Sequence, residues 1–115
     1  MLKVKRVYEK PEPSDGWRVL VDRLWPRGMK KESAKIDLWM KDIAPSDALR
    51  KWFGHDPKRW PDFQKKCRTE LGKKKALLEE LESLEKKYGT VTLLFGAKDE
   101  QHNQAVVLAE VLKSK

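Results

Sequence analysis

Short apolar stretches with the pattern of β-strands occur at four places in the chain. Leu2 and Val4 alternate with lysines, which predicts a strand with one face in water. Residues 17–21 end in a continuously apolar run, as expected when both faces of a strand are covered. Residues 36–40 predict a third, short strand or a loop, and residues 90–95 show the clearest strand pattern of the four.

Capping residues and helical spacing mark the segments between these strands. Residues 29–35 predict a short helix. Ser46 is a suitable N-cap for a helix over residues 47–53, and Gly54 is a natural stop for it.

The longest segment between two strands carries apolar residues at helical spacing from Phe63 to Tyr88. Asp56 and Pro57 form a typical helix start, although Pro61 also permits the regular helix to begin there. Gly72 interrupts the pattern, so either one bent helix or two separate helices fit it.

A last helix follows the turn at residues 96–99, with Asp99 as the expected N-cap. Because strands separated by helices require crossover connections, parallel pairing is favoured. The chain is therefore predicted to form one α/β domain over residues 1–115, with a small, mostly parallel sheet of about four strands and helices packed on its faces. The buried stripe of the last helix is predicted to contain Ala105, Leu108, Ala109 and Leu112, and three tryptophans are expected to pack helices on the sheet, namely Trp39, Trp52 and Trp60.

The chain is basic, with 26 Lys and Arg against 18 Asp and Glu and a net charge of +8. A basic helix within residues 58–75 would follow a nucleic-acid backbone, and such binding weakens steeply with salt. The same lysines also fit a solvated helix face, because residues 64–76 contain no aromatic side chain on which a base would stack. Nucleic-acid binding therefore stays an alternative rather than the first prediction.

Composition and missing motifs exclude several classes of protein. The single cysteine, Cys67, permits neither an internal disulfide nor a cysteine-rich zinc site, and its spacing predicts a buried position. No apolar run approaches the roughly 20 residues that span a membrane, and the N-terminus lacks the apolar stretch of a signal peptide, so a cytoplasmic location is expected. No glycine-rich dinucleotide motif, Walker loop or serine nucleophile elbow occurs, and the sequence leaves the cofactor unknown.

Polar residues follow the second and fourth predicted strands, where ligands bind in parallel α/β sheets. Arginine binds a carboxylate or phosphate through paired hydrogen bonds, and histidine acts as an acid or base near neutral pH. The strand ends and the first turn of the last helix together supply Asp22, Arg23, Arg27, Lys98, Asp99, His102 and Asn103.

Each of these residues also has a structural explanation. Asp22 and Arg23 fit an ion pair at the end of a strand, and Arg27 fits an exposed loop position. Asp99 fits a helix cap, and His102 lies three residues before Ala105 and so falls on the predicted buried stripe.

Six segments of the chain carry a resemblance to a known family. They are residues 21–28 (VDRLWPRG), 37–39 (DLW), 42–46 (DIAPS), 49–57 (LRKWFGHDP), 93–99 (LLFGAKD) and 102–105 (HNQA). Through them the chain resembles the YeaO-like proteins, a large prokaryotic family of domains of unknown function, over nearly its whole length. The resemblance implies a small cytosolic α/β protein and brings no established activity with it.

The resemblance adds one residue, His55, to the polar set found at the strand ends. Two positions depart from the family pattern. Cys67 stands where an aromatic residue is expected, which argues against a catalytic thiolate, and Pro61 is atypical at the start of its helix. No spacing around His55 or His102 predicts a metal site.

The first functional hypothesis is a pocket for a small anionic ligand that carries a phosphate or carboxylate. Arg23 and Arg27 would hold the anion, and His102 would be the candidate acid or base, oriented by Asp99 or Asp22. Hydrolysis or group transfer is the broadest reaction class that fits, if the protein is an enzyme. The further ligand-binding candidates are Lys98, Asn103 and His55. The alternatives are a nucleic-acid-binding protein that uses residues 58–75 and a protein-interaction module with exposed tryptophans.

Overall fold

The computed structural model describes residues 1–114, and its centre is a sheet of four parallel strands. The strands are β1 (Leu2–Arg6), β2 (Trp17–Leu20), β3 (Leu38–Trp39) and β4 (Val91–Phe95), in the spatial order β1-β4-β2-β3. The prediction of a small α/β fold with a parallel sheet is therefore confirmed. Because every strand runs in the same direction, the carboxyl-terminal ends lie along one edge of the sheet.

Strand β4 lies inside the sheet and pairs with β1 on one side and β2 on the other. All five of its residues are buried, which explains why its sequence is almost entirely apolar. The register sets Arg6 of β1 beside Phe95 and Leu20 of β2 beside Leu94. The segments that leave these three strands therefore start close together.

Five helices connect or follow the strands. The segment between β3 and β4 contains α2, α3 and α4, and the three residues between Leu71 and Lys75 separate α3 from α4. One helix thus lies on each side of Gly72, so the segment forms two separate helices and not one bent helix. The helices are α1 (Lys31–Ala34), α2 (Asp47–Phe53), α3 (Trp60–Leu71), α4 (Lys75–Tyr88) and α5 (Gln104–Lys113).

The two faces of the sheet are covered differently. The larger hydrophobic cluster joins β2 and β4 residues such as Val19 and Leu93 to apolar side chains of α2, α3, α4 and α5. The smaller cluster contains Leu20 and Leu94 and is covered by loop residues, among them Trp25. Four of the five helices therefore contribute to one core.

Local capping chemistry fixes α2 as the sequence predicts. The hydroxyl oxygen of Ser46 accepts a hydrogen bond from the Leu49 backbone N–H at 3.2 Å. Gly54 ends the helix with φ +53°, in the left-handed region that favours glycine. Asp56 caps a short 3₁₀ turn at Pro57–Arg59, and α3 then begins with Pro61 in its first turn.

Two elements are shorter than the sequence predicts, and two side chains are less buried than predicted. Strand β3 spans only two residues, because the chain enters a 3₁₀ turn at Lys41–Ile43. The first helix is shorter than 29–35, since Lys35 at its end adopts a left-handed conformation with φ 48°. Leu112 is only partly buried. Trp39 is 36% exposed and donates its indole N–H to the Asp22 carbonyl at 2.7 Å instead of packing a helix on the sheet.

The start of α5 also differs from the prediction. Asn103 is the N-cap, and its side-chain oxygen accepts the Val106 backbone N–H at 3.1 Å. Asp99 instead accepts the backbone N–H groups of Gln101 and His102, at 2.9 and 3.0 Å. His102 and Asn103 therefore precede the helix and do not belong to its first turn.

A closed cluster of charges lies at the amino-terminal end of β2. The Asp15 carboxylate pairs with the Arg18 guanidinium and with the Lys5 ammonium, the latter at 3.1 Å. Arg18 also donates to the carbonyls of Ala34 and Lys35, at 2.9 and 3.1 Å. Burial raises the pKa of Asp15, but hydrogen bonds from the Glu12 backbone and from both cations outweigh burial and hold the pKa below its usual 3.8.

Over residues 1–114, none of the helices combines the length and the apolar character needed to cross a membrane.

Candidate functional site

A cavity of about 260 Å³ opens at the carboxyl-terminal edge of the sheet, and we call it the strand-end pocket. Its walls come from elements far apart in the sequence, which meet because β1, β2 and β4 end at the same edge. The lining comprises segments 22–27, 44–45, 96–97 and 103–104, closed by Tyr8, Arg50, Phe53, His55 and Phe63.

Asp22 leaves the end of β2 and is held against the end of β4. One carboxylate oxygen accepts the Gly96 backbone N–H at 2.8 Å, and the other accepts the side-chain amide of Gln104. Burial raises the pKa of Asp22 above its usual 3.8, although both hydrogen bonds and the charge of His55 act in the opposite direction. The carboxylate is therefore desolvated without a cation bound directly to it.

Gly96 allows this close approach of the Asp22 carboxylate. A Cβ atom at Gly96 would lie 2.9 Å from the nearer Asp22 oxygen. Any larger residue at this position would displace the carboxylate or the loop that carries it.

Arg23 is oriented by the opposite wall of the pocket. Its Nε donates to the Pro45 carbonyl at 3.0 Å and its Nη2 donates to the Ala44 carbonyl at 3.1 Å. No ion pair joins Asp22 and Arg23, both of which the structure describes, so the strand-end ion pair that the sequence left open is not formed. A guanidinium has five N–H donors, and three of them remain for other partners.

Arg27 and Arg50 are exposed side chains of the pocket lining. The loop that carries Arg27 is ordered by a hydrogen bond from the Tyr8 hydroxyl to the Arg27 carbonyl at 2.8 Å. Arg50 lies on α2 and makes one long contact, 3.4 Å, with Asp47. Arg50 does not follow a strand, so the strand-end rule does not point to it, although it lies inside the segment 49–57 that carries the family resemblance.

His55 reaches the same pocket from the turn after α2. Its backbone has φ 58°, which non-glycine residues seldom adopt. Strain of this kind concentrates at functional sites, because the surrounding structure must hold the residue in place. Only the family resemblance had singled out this residue.

His102 and Asp99 form a pair outside the pocket lining. The His102 Nδ1 lies 2.8 Å from an Asp99 carboxylate oxygen, and the imidazole packs edge-on against Trp60 at 5.1 Å. Hydrogen bonds from the Gln101 backbone, the His102 side chain and the His102 backbone lower the pKa of Asp99. The structure therefore forms the predicted acid–base pair but does not bring it together with Arg23 and Arg27.

The two remaining candidates differ in their surroundings. Lys98 is exposed and does not line the pocket. Asn103 does line it, but its side chain is 2% exposed and already caps α5. The Asn103 amide also donates to the Asp99 carbonyl at 2.9 Å, so most of its hydrogen-bonding capacity serves the fold.

Two features outside the pocket bear on the other predictions. Cys67 is buried, as predicted, and burial raises the pKa of its thiol to about 12. Lys74 belongs to the basic segment, but its ammonium donates a hydrogen bond to the Ala44 carbonyl at 2.7 Å. Within residues 1–114, no three His, Cys, Asp or Glu side chains are grouped so that they could hold a metal ion.

Comparisons with known proteins agree on the family. A family model described as "Inactive DUF488-N3 subclade" matches residues 1–115. The Mycobacterium tuberculosis "Uncharacterized protein Rv3073c" is 40% identical over 116 residues, which cover 99% of this chain and 95% of that protein. The Escherichia coli "Uncharacterized protein YeaO" is 42% identical over 113 residues, which cover 98% of this chain and 97% of that protein. No solved structure matches the chain. The resemblance read from the sequence motifs is thus confirmed, and the chain belongs to the YeaO-like family described as the inactive DUF488-N3 subclade.

Proposed function

We propose that the strand-end pocket binds a small anionic ligand, one that carries a phosphate or carboxylate group, and that it does so in the cytoplasm. The observation that carries this proposal is the charge of the lining: Arg23, Arg27 and Arg50 line one cavity. Asp22 is the only acidic residue among the described residues of that lining. Guanidinium groups in a partly desolvated cavity bind oxyanions through charge-assisted hydrogen bonds.

The fixed position of Arg23 supports the same ligand class. Its guanidinium is already oriented by the carbonyls of Ala44 and Pro45, so little side-chain freedom remains to be lost when a ligand binds. Arg27 and Arg50 have free guanidinium donors at the exposed side of the cavity.

Binding without catalysis is the form of the proposal that we favour. The matching family is described as inactive, and the His102–Asp99 pair lies outside the lining that holds the arginines. The lining contains one carboxylate, Asp22, one imidazole, His55, and one phenol, Tyr8. Hydrolysis or group transfer in this pocket would draw its acid or base from these three side chains.

The test is calorimetric titration of the protein with inorganic phosphate, sulfate and acetate at low salt. We expect Arg27→Gln to weaken binding roughly tenfold or more, since it removes charge-assisted hydrogen bonds to the anion. Arg68→Gln is the matched control, because Arg68 is exposed on α3 and pairs with Glu110 away from the pocket. Arg23→Ala is a poorer variant, since it also removes two hydrogen bonds that hold the pocket wall.

Two results would overturn anion binding at this site. One is the absence of any binding heat or thermal shift with these anions. The other is an unchanged affinity in both Arg27→Gln and Arg50→Gln proteins.

Nucleic-acid binding is the second candidate, and one observation favours it. The Trp52 ring is flanked by the cations of Arg59 and Lys66, at 5.3 and 5.2 Å from its centroid. Trp52 thus lies beside the basic segment 58–75 and supplies an aromatic side chain that residues 64–76 lack. A gel-shift series with single- and double-stranded oligonucleotides at low salt tests it, and the absence of retardation would exclude it.

A further inference from the structure

The strand-end pocket has an exposed charged rim and a buried apolar floor. Arg27 and Arg50 are exposed, whereas Phe53 and Phe63 are only 5% and 2% exposed. The two phenyl rings stack face to face at 4.0 Å with an interplanar angle of 13°, so each covers one face of the other and the pair presents its remaining apolar carbons to the pocket. A bare inorganic anion would use the rim and leave this floor without a partner.

The position of Asp22 argues against a bare anion in the interior of the pocket as well. Its carboxylate is desolvated and has no directly bound cation, so it would repel a phosphate or sulfate that entered deeply. A carboxylate has about four acceptor positions, and protein hydrogen bonds occupy two of them. The remaining positions suit a neutral or cationic N–H or O–H donor on the ligand.

Resting on the proposed anion binding, we propose that the ligand is an aromatic anion: a ring that carries a carboxylate or phosphate at one end and a hydrogen-bond donor at the other. The arginines at the rim bind the anionic group, the Phe53 and Phe63 surface contacts the ring, and Asp22 accepts a hydrogen bond from the donor. The cavity volume of about 260 Å³ lies just below the usual range for ligand pockets, which suits a ligand with a single ring.

A graded series of small probes tests each part of the proposal by calorimetry on the full chain. Acetate and inorganic phosphate carry the anion alone, benzoate and phenyl phosphate add the ring, and methyl benzoate carries the ring without a charge or a hydrogen-bond donor. We expect the ring to improve affinity roughly tenfold over the bare anion, because it removes apolar surface from water. Comparison of benzoate with phenyl phosphate distinguishes a carboxylate ligand from a phosphate ligand.

A second set of probes tests the hydrogen bond from the ligand to the Asp22 carboxylate. We expect 3- or 4-aminobenzoate to bind more tightly than benzoate, since the amino group donates to the Asp22 carboxylate. Asp22→Asn should abolish this preference and bind benzoate more tightly than wild type, because the variant removes a negative charge from the pocket. Thermal unfolding of the variant shows whether it is folded, and the wild-type probe series remains decisive if it is not.

The outcomes separate the aromatic ligand from anion binding as such. Equal affinities for acetate and benzoate would overturn the aromatic ligand and leave anion binding intact. Methyl benzoate binding as tightly as benzoate would overturn the role of the arginines. An aminobenzoate affinity no higher than that of benzoate, with both isomers, would overturn the assigned role of Asp22, and a failure of all anions to bind would overturn both proposals.

Discussion

The two ends of strand β2 each carry an aspartate, and the two carboxylates have opposite electrostatic surroundings. Asp15 precedes the strand and pairs with two cations, Lys5 and Arg18. Asp22 follows the strand and accepts only neutral donors, the Gly96 N–H and the Gln104 amide. The pKa of Asp15 is accordingly lowered and that of Asp22 is raised.

This difference separates a structural cluster from a candidate binding site. Around Asp15 the charges pair with each other and Arg18 also donates to two backbone carbonyls, so most of their hydrogen-bonding capacity serves the fold. Around Asp22 the carboxylate and three arginines face one cavity without pairing with each other. A buried charged side chain thus indicates a candidate functional site only where no protein side chain of opposite charge pairs with it.

The largest effect should come from breaking the closed cluster. Arg18→Met removes a buried cation, and we expect a loss of about 3–5 kcal/mol in the free energy of unfolding, because the Asp15 carboxylate loses one of its two partners. Urea denaturation at pH 7 measures it. Arg68→Met, at an exposed ion pair, is the control and should change stability by less than about 1 kcal/mol. A loss from Arg18→Met as small as that of the control would show that the cluster does not stabilise the fold.

A smaller loss of stability is expected at the carboxyl-terminal end of β2, where Gly96 contacts Asp22. Gly96→Ala places a methyl group 2.9 Å from an Asp22 oxygen, and we expect it to destabilise the fold by about 1–3 kcal/mol through overpacking. Gly72→Ala is the matched control, since its Cβ would have ordinary contacts of 3.4 Å or more and its φ of −60° suits alanine. The loss at Gly96 should shrink when Asp22→Ala is also present, and strict additivity would argue against the contact.

The smallest effect concerns pH. Because the pKa of Asp22 is raised in the folded state, the folded protein binds a proton at higher pH than the unfolded chain does. The contribution of Asp22 to stability therefore falls as pH rises through the folded pKa. Asp15 has a lowered pKa, so its contribution is fully present above 3.8 and is lost as pH falls through its folded pKa.

Urea denaturation of wild type and Asp22→Asn between pH 7 and the usual carboxyl pKa of 3.8 separates the two groups. We expect wild type to gain stability relative to the variant as pH falls within this window, whereas Asp15→Asn should show no such trend there. Parallel pH curves for wild type and Asp22→Asn would contradict the raised pKa.

Local chemistry made part of the fold predictable from the sequence. The apolar run of β4 reflects burial on both faces, and the caps of α2 at Ser46 and Gly54 are interactions between near neighbours. The start of α5 was not predictable in this way, because Asp99 and Asn103 are both good capping residues. Burial of Asn103 against the sheet edge decides between them, and that is a tertiary effect.

The candidate site was partly predictable for a related reason. Asp22 and Arg23 lie just after β2 and Arg27 lies in the loop that follows, so the rule that ligands bind at strand ends points to them. Arg50 and Gln104 reach the pocket from helices, and only the packing of α2 and α5 places them there. His102 and Asp99 satisfy the same rule in sequence, but the turn at residues 99–102 pairs them with each other.

The carbonyl of Ala44, in the wall of the pocket, is held by two side chains. It accepts hydrogen bonds from two cations at once, Arg23 on the cavity side and Lys74 from the turn between α3 and α4. Loss of either bond leaves the Ala44 oxygen with the other cation, so this part of the pocket wall keeps one anchor. Lys74, a lysine of the basic segment, thus helps to hold the wall of a pocket that it does not line.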